Sequence, residues 1–180
     1  LRVMNFANDT KIDPNGKLIG DPTETALVQF GLDHSFDIRE VLKAEPRVAE
    51  LPFDSDRKLM STIHKEADGK YFVAVKGAPD QLLKRVTRIE ENGQVRDITA
   101  AEKEAILNVN KDLAKQALRV LMMAYKYVSE VPNLESEIVE SKKKMQNGDW
   151  NCMKQTLICC FQLVMVILLH AMNNATACFL

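Results

Sequence analysis

The chain has 180 residues, with 24 Lys or Arg against 25 Asp or Glu, for a formal net charge of -1. That length buries one ordinary core, with room for an appendage. The balanced charge gives no electrostatic footing for nucleic acid, whose binding draws on clustered Lys and Arg.

The opening Leu1-Arg2-Val3-Met4-Asn5-Phe6 is soon followed by Asp9 and Lys11, unlike a secretory leader, and a first residue other than Met suggests a piece of a longer protein. Asp13-Pro14-Asn15-Gly16 then predicts a turn. GDPTETALVQFGL carries several helix-start cues together. Asp21 stands as N-cap, Pro22 suits the first helical position, and Glu24 falls where a capping-box carboxylate reaches back. Leu27, Phe30 and Gly31 follow at helical spacing, and a second short helix is predicted over 37–44.

Three strand-like runs come next: Arg47 to Phe53, Leu59 to His64 and Tyr71 to Lys76. In the first, Phe53 shares strand parity with Ala49 and Leu51, which by itself makes it a core residue. Ala67-Asp68-Gly69 forms the expected hairpin tip between the last two runs. The third run, VAVKGAPD, stops on Lys76. Gly77 allows close backbone approach, and Pro79 with Asp80 suits a helix start. A cation at such a strand-to-helix junction is suited to meeting an anion, although the stretch alone reads first as a surface lysine that contributes little packing.

A helix from Pro79 to about Val86 is expected, then a hairpin around Glu91-Asn92-Gly93. Thr99-Ala-Ala-Glu102 is a second capping box, opening a helix with Ile106, Val109, Leu113 and Ala117 on one face. Arg119 to Val128 reads as a further strand. Hairpins beside helices, without regular alternation, predict an α+β fold with a mainly antiparallel sheet flanked by helices.

The chain divides near residue 140. Residues 141–156 are polar and basic, like a linker, and 157–180 form an apolar tail. Its apolar run is shorter than the ~20 residues of a membrane helix. It is compatible with a buried helix or strand, a cut membrane segment or a non-native sequence. All four cysteines lie at or beyond Cys152, in no zinc pattern, and favour a reducing compartment. The chain lacks the phosphate loop G-x-x-x-x-G-K-[ST], the dinucleotide motif G-x-G-x-x-G and the nucleophile elbow G-x-S-x-G. His34, His64 and His170 stand apart, as surface or strand residues rather than ligands or bases.

GDPTETAL (20–27), LPFDSDRKLMS (51–61), VKGAPD (75–80) and QALRVL (116–121) occur here in one order. Together they resemble the nucleotide-binding domain of P-type cation-transporting ATPases, especially the calcium-pump-like subgroup, over residues 1–140. The resemblance implies a cytoplasmic, ATP-binding domain of a membrane pump, monomeric when isolated. It would take ATP with Mg2+ and present it to a catalytic aspartate on a phosphorylation domain, with an actuator domain as the other partner. The D-K-T-G-T motif carrying that aspartate is absent from this chain, so neither a catalytic residue nor a protein-held metal is expected here. The resemblance gives Lys76, with Gly77 beside it, the nucleotide-pocket role. It gives Phe53 the stacking position on adenine, Lys58 a second pocket lysine, Glu24 the acid near the adenine end, and Arg119 the phosphate contact. Ser55 departs from relatives that carry arginine there. A module that kept the fold but lost the nucleotide is the alternative.

Overall fold

The computed structural model describes residues 1–131, 150–153, 155–160 and 166–170, the last three stretches by their strand pairing alone. Its centre is a sheet whose strands run in the order β3-β4-β5-β8-β9-β6-β7. The first four are β3 (Arg47–Asp54), β4 (Leu59–Lys65), β5 (Tyr71–Gly77) and β8 (Leu118–Val128), all antiparallel neighbours. Beyond them come β9 (Trp150–Met153), then the hairpin of β6 (Val86–Glu91) and β7 (Gln94–Asp97). The β6–β9 pair alone runs parallel among the described strands. The sheet is therefore mainly antiparallel and flanked by helices, as expected.

Two apolar layers cover the sheet. On one face pack α1 (Arg2–Phe6), α2 (Pro22–Asp33) and α3 (Ile38–Ala44), with Phe6, Leu27, Val28 and Ile38 against Phe72, Ala74 and Met123. On the other, Leu82 and Leu83 pack on Ile63, Val73, Val75, Met122 and Ala124. They come from α4 (Pro79–Leu82) and the turn after it, with Ile106 of α5 (Ala100–Lys115) alongside. Alternation along β5 thus serves both layers, which is why Phe72 to Gly77 is buried without a break. The small hairpin β1 (Lys11–Ile12) and β2 (Leu18–Ile19), and helix α1, carry no signal read from the sequence.

Local chemistry explains most boundaries. The Asp21 carboxylate accepts from the Thr23 amide, so the first of these helices starts at its predicted cap, and Asp37 does the same for Arg39 at the start of the span expected for the second. The Thr99–Glu102 capping box forms in full. Asn92 and Gly93 both have positive φ (52° and 76°), the geometry that a two-residue hairpin turn requires.

Three expectations need correction. The helix at Pro79 ends at Leu82 rather than near Val86, because Val86 is taken into β6 and buried there. The predicted apolar face of α5 meets the core only in part, through the half-buried Ile106. Val109 is exposed, Ala117 lies past the helix with φ 59°, and no residue of α5 is buried. The capping box at Asp21 does not close, since Glu24 is engaged elsewhere. In the tail, β10 (Gln155–Cys160) pairs with β8 and with β11 (Val166–His170).

Candidate functional site: the end of the central strands

Lys76 sits near the end of β5 on the face covered by α1, α2 and α3, and it is 7 % exposed. Its Nζ donates to Glu24 Oε1 at 2.6 Å, an ion pair whose side chains are 8 % and 18 % exposed. Burial lowers the Lys76 pKa below the usual lysine value, and the Glu24 charge opposes that shift. Glu24 Oε2 accepts from the Asp9 amide at 2.8 Å. The carboxylate that sequence reading assigned to its own helix cap is therefore spent on a strand and a loop remote in the chain. Lys76, expected to contribute little packing, is a buried half of an ion pair.

Gly77 is explained by proximity. A Cβ built there would lie 2.2 Å from the Lys58 carbonyl oxygen and 2.6 Å from a Leu59 methyl. The same carbonyl accepts from the Ala78 amide at 3.1 Å, tying the β3–β4 turn to the end of β5. Lys58 has φ 55° and an exposed side chain at that turn. Only a residue without a side chain lets the two backbones come this close.

Phe53 overturns the parity expectation. It is 64 % exposed, whereas Leu51 is buried. Between the pairs Leu51↔Ser61 and Asp54↔Leu59, β3 advances three residues while β4 advances two. The bulge reverses the alternation. Leu59 belongs to the α4–α5 layer, so its partner Asp54 points that way and Phe53 points to the opposite face, the face of Lys76. Continuing the register from Asp54↔Leu59 sets Phe53 opposite Met60; Met60 pairs with Lys76, and Lys76 pairs with Met123. These form one row across four strands, with Phe53 and Lys76 two strand spacings, about 10 Å, apart. Met60, which no motif assignment singled out, is 1 % exposed between them. Its alternation with Thr62 and His64 was the signal available for it.

Arg119 lies on β8 four residues from Met123, on the same face by alternation and about 13 Å along the strand. It is exposed, at the edge where β5 gives way to the Ala78–Pro79 junction. Glu24, Phe53, Lys76 and Arg119 thus share one face at one end of the sheet, while Gly77 and Lys58 shape the backbone beside it.

The sequence profile of the family described as P-type ATPase, cytoplasmic domain N, matches residues 1–160. The chain is a P-type ATPase N domain. Among its relatives, the calcium-transporting ATPase 1 of Lactococcus lactis is 40% identical over 130 residues, covering 72% of this chain and 15% of the relative. A calcium-transporting ATPase 1 from Bacillus cereus is 38% identical over 143 residues, 77% of this chain and 16% of the relative. Potassium-transporting ATPase alpha chain 2 of Cavia porcellus is 31% identical over 114 residues, 62% of this chain and 11% of the relative. The N domain therefore spans about a sixth or less of the length of these relatives. Among its described residues no helix is long and apolar enough to cross a membrane. Nor do they gather three or more His, Cys, Asp or Glu side chains suited to holding a metal.

Proposed function

We propose that this N domain binds ATP on the face bearing Phe53 and Lys76 and presents it to an aspartate on another domain of a cation pump, of calcium-transporting type. The observation that carries this reading is the exposure of Phe53. A bulge turns an aromatic ring out of the core and into the row of a buried lysine, at a cost in burial that folding alone does not explain. An aromatic face suits adenine, with stacking worth about 1–3 kcal/mol per base in nucleic-acid systems. Lys76 spends one of its donors on Glu24 and keeps two for an anion. Arg119 stands at the far end of the face for the phosphates.

The α4 helix is a poor anion cradle, because it opens on Pro79, which lacks an N–H, and carries Asp80 in its first turn. Phosphate recognition accordingly rests on side-chain cations. The affinity that follows is modest, which suits a domain that must deliver the γ-phosphate elsewhere. Mg2+ would arrive with the triphosphate. Residues 1–140 are the unit proposed to do this, with 141–156 and 157–180 dispensable for it. The chain would lie on the cytoplasmic face of the membrane, as a monomer when isolated. The calcium assignment draws on the names of its relatives, since ion ligands would lie outside this chain.

An NMR titration of the full chain with ATP and with adenosine tests the reading. Saturable shifts clustering on Glu24, Phe53, Lys76 and Arg119 support it. No saturable shift would favour the module that kept its fold and lost its ligand. Phosphoryl transfer needs acceptor, metal and in-line geometry together, so the chain should bind ATP without sustained phosphate release. Turnover abolished by Lys76→Glu would point to an acceptor inside this chain.

A further inference from the structure

We infer that Arg57 is a positioning residue for the proposed adenine subsite: it clamps the bulge that turns Phe53 toward Lys76. The inference rests on the nucleotide reading above and adds a residue that acts through Phe53 rather than on the ligand. One guanidinium nitrogen, Nη2, donates to the Pro52 carbonyl and to the Leu59 carbonyl, both at 3.1 Å. The first is in the bulge itself and the second is on the facing strand. Arg57 therefore spans the place where β3 gains its extra residue over β4.

The turn between these strands is built to hold the arginine there. Asp54 Oδ1 accepts from the Asp56 amide at 3.1 Å and from the Arg57 amide at 2.8 Å, and the Asp54 carbonyl accepts from the Lys58 amide at 2.7 Å. Pro52 has no N–H to offer the ladder. Its carbonyl, at an irregular step, gains a charge-assisted partner, and such bonds are stronger than neutral ones. A bulge is one residue from regular pairing. Restoring that pairing would return Phe53 to the parity of Leu51 and turn the ring to the opposite face. The clamp favours the bulged register, so it sets where the aromatic ring stands.

The test uses the full chain with Phe53→Ala, Arg57→Met and the double variant, measuring adenosine and ATP affinity. The expected result is that Arg57→Met weakens both ligands by the same factor, about 3- to 30-fold, as part of the stacking free energy is lost. Arg57→Lys should recover part of that loss, and the double variant should bind no more weakly than Phe53→Ala. Three results would overturn the inference: unchanged adenosine affinity in Arg57→Met while Phe53→Ala loses it, multiplying losses in the double variant, or a larger loss for ATP than for adenosine. Should Arg57→Met not fold, Arg57→Gln carries the same comparison, because its shorter side chain cannot span both carbonyls. If Phe53→Ala leaves adenosine binding intact, the nucleotide reading fails by itself. The Phe53 ring resonances of the ligand-free chain then decide the clamp. Shifts in Arg57→Met that Arg57→Lys reverses support it, and unchanged resonances refute it.

Discussion

Replacing Lys76 with methionine isolates the ion pair on which the site is built. The stem keeps its apolar packing while Glu24 loses the cation 2.6 Å away, in a place where the two side chains are 8 % and 18 % exposed. Breaking one side of a buried pair costs about 3–5 kcal/mol, because the other charge is left without compensation. Glu24 here retains the Asp9 amide and some contact with water, so a loss of about 2–4 kcal/mol is expected for Lys76→Met. Glu24→Gln should cost less than Lys76→Met, since its one amide oxygen can still accept from Lys76, while the NH2 in place of the other oxygen gives up the Asp9 amide. Lys76→Met with Glu24→Gln should recover part of the sum, giving a coupling energy of about 1–2 kcal/mol. Urea unfolding followed by circular dichroism at pH 7 measures all four corners. A Lys76→Met variant within 0.5 kcal/mol of the parent, on the scale of an ordinary surface substitution, would refute the buried pair. So would strict additivity in the double variant.

Gly77→Ala should destabilise the domain by about 2–4 kcal/mol, more than ordinary overpacking, because the added Cβ meets a backbone carbonyl rather than a movable side chain. Thermal unfolding checks it, and a neutral outcome would mean the β3–β4 turn yields freely. His64 is fully buried, stacked on the Phe6 ring at 3.9 Å, with Nδ1 donating to the Glu45 carbonyl and Nε2 accepting from the Thr62 hydroxyl. Burial pushes its pKa down to about 4 from 6.5. The unfolded chain therefore takes up the proton first, and stability should fall as pH drops through that window, by at most about 3 kcal/mol. A His64→Gln variant should lose that part of the slope in urea unfolding from pH 7 to 4. Truncation after residue 140 should leave ATP affinity unchanged. Lost affinity with a weakened fold would assign the β9 and β10 pairings with β8 to the functional unit.

Local chemistry made much of this domain legible from the sequence. The caps at Asp21 and Thr99 need only residues within a turn of one another, and so do the hairpin tips at Asp68-Gly69 and Asn92-Gly93. Strand limits at Leu59 and Tyr71 follow from apolar and β-branched runs between such turns. The order of four short motifs likewise identified the family, because order survives without knowledge of contacts. Tertiary structure decided what happened between elements. Glu24 had a sound local use as a capping carboxylate, but Lys76, 52 residues away, offered a charge in a drier place. Phe53 had the parity of a core residue until one inserted step on β3 reversed it. No periodicity in the sequence marks a bulge, since the extra residue exists only relative to the partner strand. Gly77 looked like a joint that allows close approach, and the atoms that require it, the Lys58 carbonyl and Leu59, come from another strand's turn. Caps and turns are set by neighbours in sequence. The face a side chain presents, and the charge it meets, are set by register and by long-range pairing.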